Sequence, residues 1–134
     1  MGYTSTLTMS ASQEFQTEHL DRKRLVELYG NDMDYAADMF RTFLHDMLPI
    51  FDEFDELIQE SRWAAVQQLA HKLMPTLGMV GLSDLESMMM HIEAASTAED
   101  PLLVQKLWLQ FRTDFTTRIP VLQAEYQRYS QKHP

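Results

Sequence analysis

Cysteine is absent from the 134 residues, and with it go disulfide frameworks, cysteine-based zinc sites and thiol catalysis. Positive charge is scarce: 11 Lys and Arg stand against 20 Asp and Glu, a net charge of −9. Neutralising a polyanion takes clustered lysine and arginine, so DNA and RNA are not expected partners. Long apolar runs are missing as well. The charge-free stretch from Leu73 to Ser83 has eleven residues, where a membrane-spanning helix needs about twenty. The opening MGYTSTLTMSASQEF shows neither the basic region nor the continuous apolar region of a signal peptide, which makes a cytoplasmic location the expectation. Familiar catalytic signatures are also lacking, including a Walker loop, G-x-S-x-G, H-E-x-x-H and the paired Glu-x-x-His of di-iron bundles. His91 and Glu93 are two residues apart and do not share a helical face, so no metal site is expected.

What remains is a chain that is 45% apolar and 23% charged, enough to build one core in one domain. Residues 1–18 are rich in Ser and Thr and read as a flexible leader or linker; 19–131 read as a helical bundle domain. With four glycines in all, apolar residues recur at spacings of three and four. Asp21 to Tyr29 predicts a short first helix, capped by Asp21 and ended by Gly30. Asn31 or Asp32 caps a long second helix with a stripe of Ala36, Phe40, Phe43, Met47, Ile50, Phe54 and Leu57, which Pro49 is expected to bend or split. Ser61 reads as the cap of a third helix, with Trp63, Val66, Ala70, Leu73 and Leu77 inward. A fourth starts near Ser83 and carries Leu85, Met88, Met89 and Ile92. Asp100 followed by Pro101 begins a last helix with Val104, Leu107, Trp108, Phe111, Phe115, Leu122 and Tyr126 inward and Pro120 as a second kink. The expected fold is all-α: an antiparallel four-helix bundle with a short additional N-terminal helix. The ten methionines suit flexible core packing.

His71 falls off the apolar stripe of its helix. With Val66 at zero and about 100° per residue, the inward positions cluster near 0–40° and His71 lies at about 140°. Gln67, Gln68, Pro75 and Gly78 project around it, an uncharged strip of mostly small residues. Such a strip suits a histidine that another protein must reach. A mid-helix glycine costs about 0.5–1 kcal/mol relative to alanine, so Gly78 either serves steric access together with Pro75 or marks a fraying helix end.

The stretch LAHKLMPTLGMVGLSDLESMMMHIE resembles the signature of the histidine-containing phosphotransfer (Hpt) domain, His-x-Leu-Lys-Gly followed by small residues, a glycine ten after the histidine and a helix ending in Leu-Glu. His71 matches the phosphorylated histidine, Leu73 the leucine, Thr76 and Gly78 the small positions, and Gly81 the later glycine; Leu85, Met88, Ile92 and Glu93 fall on the following helix. The similarity extends upstream through Leu25 to Phe43 and Ser61-Arg62-Trp63, covering about Leu20 to Ser96. Two positions depart from the pattern. Met74 replaces the lysine, with Lys72 as its candidate substitute, and Pro75 replaces a glycine, so the helix beneath His71 is expected to bend or reorganise locally.

The resemblance implies a bacterial phosphocarrier without turnover of its own. His71 would accept a phosphoryl group from a receiver-domain aspartate and pass it to another receiver. The partners would be response-regulator receiver domains and a hybrid sensor kinase, with Mg²⁺ supplied by the receiver and no cofactor held here. Lys72, Gln67, Gln68 and Glu93 are candidates for support near the site, and Glu93 for a hydrogen bond to the non-reacting ring nitrogen; a solvated face explains Gln67 and Gln68 as well, and a surface salt bridge or helix-end polarity explains Glu93. Met74, Met39 and Leu44 are candidates for docking. A monomer is expected. One rival reading is a bundle that binds receivers without being phosphorylated, and another is a metal-binding bundle enzyme, against which the missing ligand spacings count.

Overall fold

The computed structural model describes residues 19–131; the leader at 1–18 lies outside the described residues. Five helices follow in order, α1 (Arg22–Tyr29), α2 (Met33–Gln59), α3 (Trp63–Met79), α4 (Ser83–Thr97) and α5 (Pro101–Ser130). Each is joined to the next by three residues, too few to do anything but reverse the chain, so successive long helices run antiparallel. The four long helices close a ring in which α3 packs on α4, α4 on α5, α5 on α2 and α2 on α3, the α3–α4 contact being the most extensive. The contact between α2 and α3 is the thinnest of the four, and α1 packs on both of these helices. This is the all-α bundle with a short N-terminal helix that the sequence predicts.

Three of the turns share one device. Ser61, Gly81 and Glu99 adopt positive φ, and the N–H of the following residue reaches back five positions, from Arg62 to Leu57, Leu82 to Leu77 and Asp100 to Ala95. This closure satisfies carbonyls that a helix end leaves unpaired. Ser61 is therefore the left-handed residue that ends α2, not the cap of α3; that N-cap is Arg62, whose side chain makes no capping bond. Asp21, Asp32 and Asp100 do cap, accepting from the backbone of Arg24, Tyr35 and Leu103.

The core follows the apolar stripes with a few corrections. Ile50 is only half-buried, and Phe51 takes the inward place beside Phe54. These rings meet α5, with Phe54 stacked on Trp108 at 4.5 Å and Phe51 edge-on to Phe115 at 4.9 Å. Trp63, Met88, Leu107 and Tyr126 are half-buried at the margin. Next to Tyr126 the buried residue is Glu125, which accepts hydrogen bonds from the Tyr129 hydroxyl and from Arg128 at 2.7 Å. A buried carboxylate so partnered escapes the desolvation cost of an orphaned one.

Pro49, Pro75 and Pro120 all lie inside helices that run through them unbroken, so of the two outcomes expected at Pro49 a split into two helices does not occur. All three are exposed. On a solvent face, water accepts the role of the missing N–H at the freed carbonyl, and packing of the opposite face holds the helix together.

Asp21 also accepts from the Ser83 hydroxyl at 2.7 Å, while its N–H bonds Gly81 O, pinning the start of α1 to the α3–α4 turn. The Ser83 hydroxyl and the Arg24 N–H hold its carboxyl below the ordinary value, and Arg118 does the same for Asp84. A depressed native pKa stabilises above the unfolded value, about 3.9, and that stabilisation is lost as pH falls through the native one. Asp21→Ala is expected to cost about 1 kcal/mol at neutral pH and to flatten the loss of stability below about pH 4, as read from urea melts across pH. Conversely, Glu99→Gly relieves a left-handed non-glycine residue, and the same melts should show a gain of about 0.5–1 kcal/mol.

Candidate functional site

α3 and α4 run antiparallel in a register that sets His71 beside Glu93 and Gly78 beside Glu86, each pair seven residues further along its helix. The apolar stripe of Val66, Ala70, Leu73 and Leu77 is buried, which turns His71 outward with a side chain 70% exposed. Its Nδ1 lies 3.1 Å from Oε2 of Glu93, a carboxylate only 20% exposed. The same oxygen accepts a hydrogen bond from Gln67 Nε2 at 2.6 Å. Gln67, one turn before His71, thus holds the carboxylate against which the ring is set. A carboxylate accepts, so Nδ1 donates, and in the neutral ring it is Nε2 that carries the lone pair. His45 shows the contrast: it also has a carboxylate at 3.1 Å, but from its exposed neighbour Asp46.

The remaining residues fall on three sides. Lys72 is exposed and lines a groove between α2 and α3, a cavity of about 450 Å³ walled by Met39, Phe43, Ile50, Leu73, Thr76 and Met79. The groove opens where the bundle's packing is thinnest. Of the two candidate docking residues on α2, Met39 lines this groove, whereas Leu44 faces the other side of α2, in a small depression with Phe115 and Ile119 of α5. Met74 is half-buried and lies outside the groove lining, on the flank of α3 that carries Gln67. Gln68 is exposed, beside Trp63, Ala64 and Ala65. Pro75 is exposed one turn beyond His71, in an α3 that stays helical from Trp63 to Met79.

Gly78 departs most from the sequence picture. It is buried rather than at an open strip, and it lies in the last turn of α3, one residue before the helix ends and three before the turn glycine Gly81. A Cβ built there would stand 2.5 Å from Nη2 of Arg24 and 3.1 Å from Oε1 of Glu86. The space that glycine leaves is occupied by an arginine of α1, a residue the sequence reading did not single out because nothing in α1 marks which way it folds back. The strip is therefore not uncharged: Arg24, Glu86 and Glu93 border it. The Arg24–Glu86 contact is loose, 3.4 Å with side chains 38% and 25% exposed, and such pairs are worth about 0–1 kcal/mol.

Among the described residues no three His, Cys, Asp or Glu side chains converge on a point where a metal ion would sit. No described helix is long and apolar enough to cross a membrane.

A solvent-facing imidazole, set on a helix by a neighbouring carboxylate, with an apolar groove beginning at the next residue, Lys72, is the equipment of a carrier that a partner protein approaches. The family comparison agrees. The model of the Hpt domain matches residues 38–132, which include α3 and α4 entirely, and the chain belongs to that family. Hpt domains act in histidine phosphotransfer within phosphorelays, where they interact with receiver domains as phosphocarriers. Comparison with curated proteins and with solved structures gave no significant match.

If Glu93 sets the ring, ¹⁵N NMR of His71 should report the Nδ1–H tautomer at pH 8, and Glu93→Ala should move it toward the Nε2–H mixture of a free imidazole.

Proposed function

We propose that this domain accepts a phosphoryl group on His71 from the aspartyl phosphate of one response-regulator receiver and delivers it to the aspartate of another. The observation that carries this reading is the Gln67–Glu93–His71 chain of contacts, which leaves Nε2 as an exposed nucleophile. The Nε2 lone pair attacks phosphorus in line. An N–P bond forms as the P–O bond to the receiver aspartate breaks, and that carboxylate departs with the electron pair. The ring proton stays on Nδ1, where Glu93 faces the positive charge that develops on the imidazole. The reverse step, onto a second aspartate, restores the neutral ring.

Such a transfer needs positioning and charge neutralisation more than covalent help. Mg²⁺ is expected from the receiver, so this chain supplies the nucleophile and the face on which the receiver sits and has no turnover of its own. Lys72, one residue from His71 and at the groove, is its nearest cation in sequence and is suited to offset phosphoryl charge in place of the lysine that Met74 replaces. The groove walled by Met39, Phe43 and Ile50 gives the receiver an apolar seat. A hybrid sensor kinase fits as the upstream source, and a cytoplasmic, bacterial, monomeric protein is what the family resemblance implies.

Incubation with phosphorylated receivers and Mg²⁺ is expected to place acid-labile phosphate on the wild-type protein and none on His71→Gln. Binding of a receiver without label on either protein would favour a purely adhesive bundle instead. Losing a hydrogen bond to a charged group is worth about 1.5–3 kcal/mol, so Glu93→Ala should slow transfer about 10–100-fold. Met39→Glu, in the groove, should raise the receiver concentration needed for half-maximal transfer about tenfold while the circular dichroism spectrum and melting temperature stay near wild type.

A further inference from the structure

Arg24 sits where its structural value is small and where α3 leaves room for it by carrying a glycine. Its guanidinium lies against Gly78, in the space where any other residue would carry a Cβ. Gly78 lies in the last turn of α3 and leaves that space open, yet the contact Arg24 makes there is a partly exposed pair with Glu86 at 3.4 Å. Gly78 is two turns from His71, which places both on nearly the same face of α3, about 10 Å apart along the axis. Arg24 therefore borders the surface that a partner reaching His71 must cover.

That surface has an electrostatic problem. Lys72 is the one cation of α3, position 74 holds methionine, Glu93 and Glu86 border the strip, and the chain as a whole carries −9. The group that His71 meets is a phosphorylated or free carboxylate, anionic in either state. We propose that Arg24 is a docking residue for the receiver: its guanidinium exchanges Glu86 for a carboxylate at the rim of the receiver's phosphorylation site and so brings an anionic partner onto an acidic domain. The proposal rests on the carrier reading of His71. Guanidinium suits the task because it pairs with carboxylates in a planar, bidentate way and remains charged throughout.

The test measures transfer from a phosphorylated receiver as a function of receiver concentration for wild type, Arg24→Ala, Arg24→Lys and Glu86→Gln. Direct labelling of His71 by phosphoramidate, which needs no docking, serves as the parallel readout. Complementary charge acts mainly on encounter. Arg24→Ala is expected to lower the second-order rate constant about tenfold, with the saturating rate and the phosphoramidate labelling within twofold of wild type. Arg24→Lys should recover part of the loss, and raised salt should slow wild type more than Arg24→Ala. Glu86→Gln frees the guanidinium and should transfer as fast as wild type or faster. An unchanged second-order rate in Arg24→Ala would overturn the proposal. So would a Glu86→Gln variant as slow as Arg24→Ala, because both would then have lost only a clamp between α1 and α4. Absence of phosphoramidate label from wild type would overturn the carrier reading itself, and the proposal with it.

Discussion

The register between α3 and α4 is the constraint on which the site depends. The turn at Gly81 closes with the Leu82 N–H on Leu77 O, and the burial of Leu73 and Leu77 on one helix and Leu85, Met89 and Ile92 on the other fixes how the two lie together. Given that register, His71 meets Glu93 and Gly78 meets Glu86. A rotation of α3 by one residue, about 100°, would carry the imidazole away from the carboxylate and bring Lys72 toward it. The chemistry of the ring is thus set by packing two layers beneath it. Gln67 completes the arrangement, because it fixes the carboxylate that fixes the ring.

An acidic protein that handles an anionic group needs its few cations well placed. Arg118 is tied to Asp84 and Arg112 to Asp55, both holding elements of the bundle together. Arg128 serves Glu125 in the core margin. Lys72 and Arg24 are the cations set near the histidine face, one at the groove and one over Gly78. The groove itself follows from the bundle's uneven ring, in which α2 gives most of its aromatic side chains to α5 and leaves its contact with α3 thin.

Much of this was legible in the residues. The apolar periodicity gave five helices, the aspartates at 21, 32 and 100 marked three starts, and the projection of His71 away from Val66, Ala70 and Leu77 placed it in solvent. What escaped depends on long-range approach. Ser61 has the composition of a cap, but the backbone of the preceding helix end required a left-handed residue there, and Glu99 fills the same role without a glycine to announce it. Leu44 is three or four residues from Phe40, Met47 and Leu48, and sequence spacing alone does not say whether α3 or α5 lies beyond it. Arg24 is invisible to periodicity, because its partner Gly78 is 54 positions later in the chain. Glu125 lies outside the apolar stripe read for the last helix, and it is buried with its hydrogen bonds completed by Tyr129 and Arg128, one turn on.

The central claim is that Glu93 holds the Nδ1 proton and leaves Nε2 to react. The most direct test is to phosphorylate the domain through a receiver and determine, by ³¹P–¹⁵N and ¹H–¹⁵N NMR at alkaline pH, which ring nitrogen of His71 carries phosphorus. The structure predicts phosphorus on Nε2 alone, with Nδ1 still protonated and hydrogen-bonded. Phosphorus on Nδ1 would contradict it, since that nitrogen could react only by first giving up Glu93.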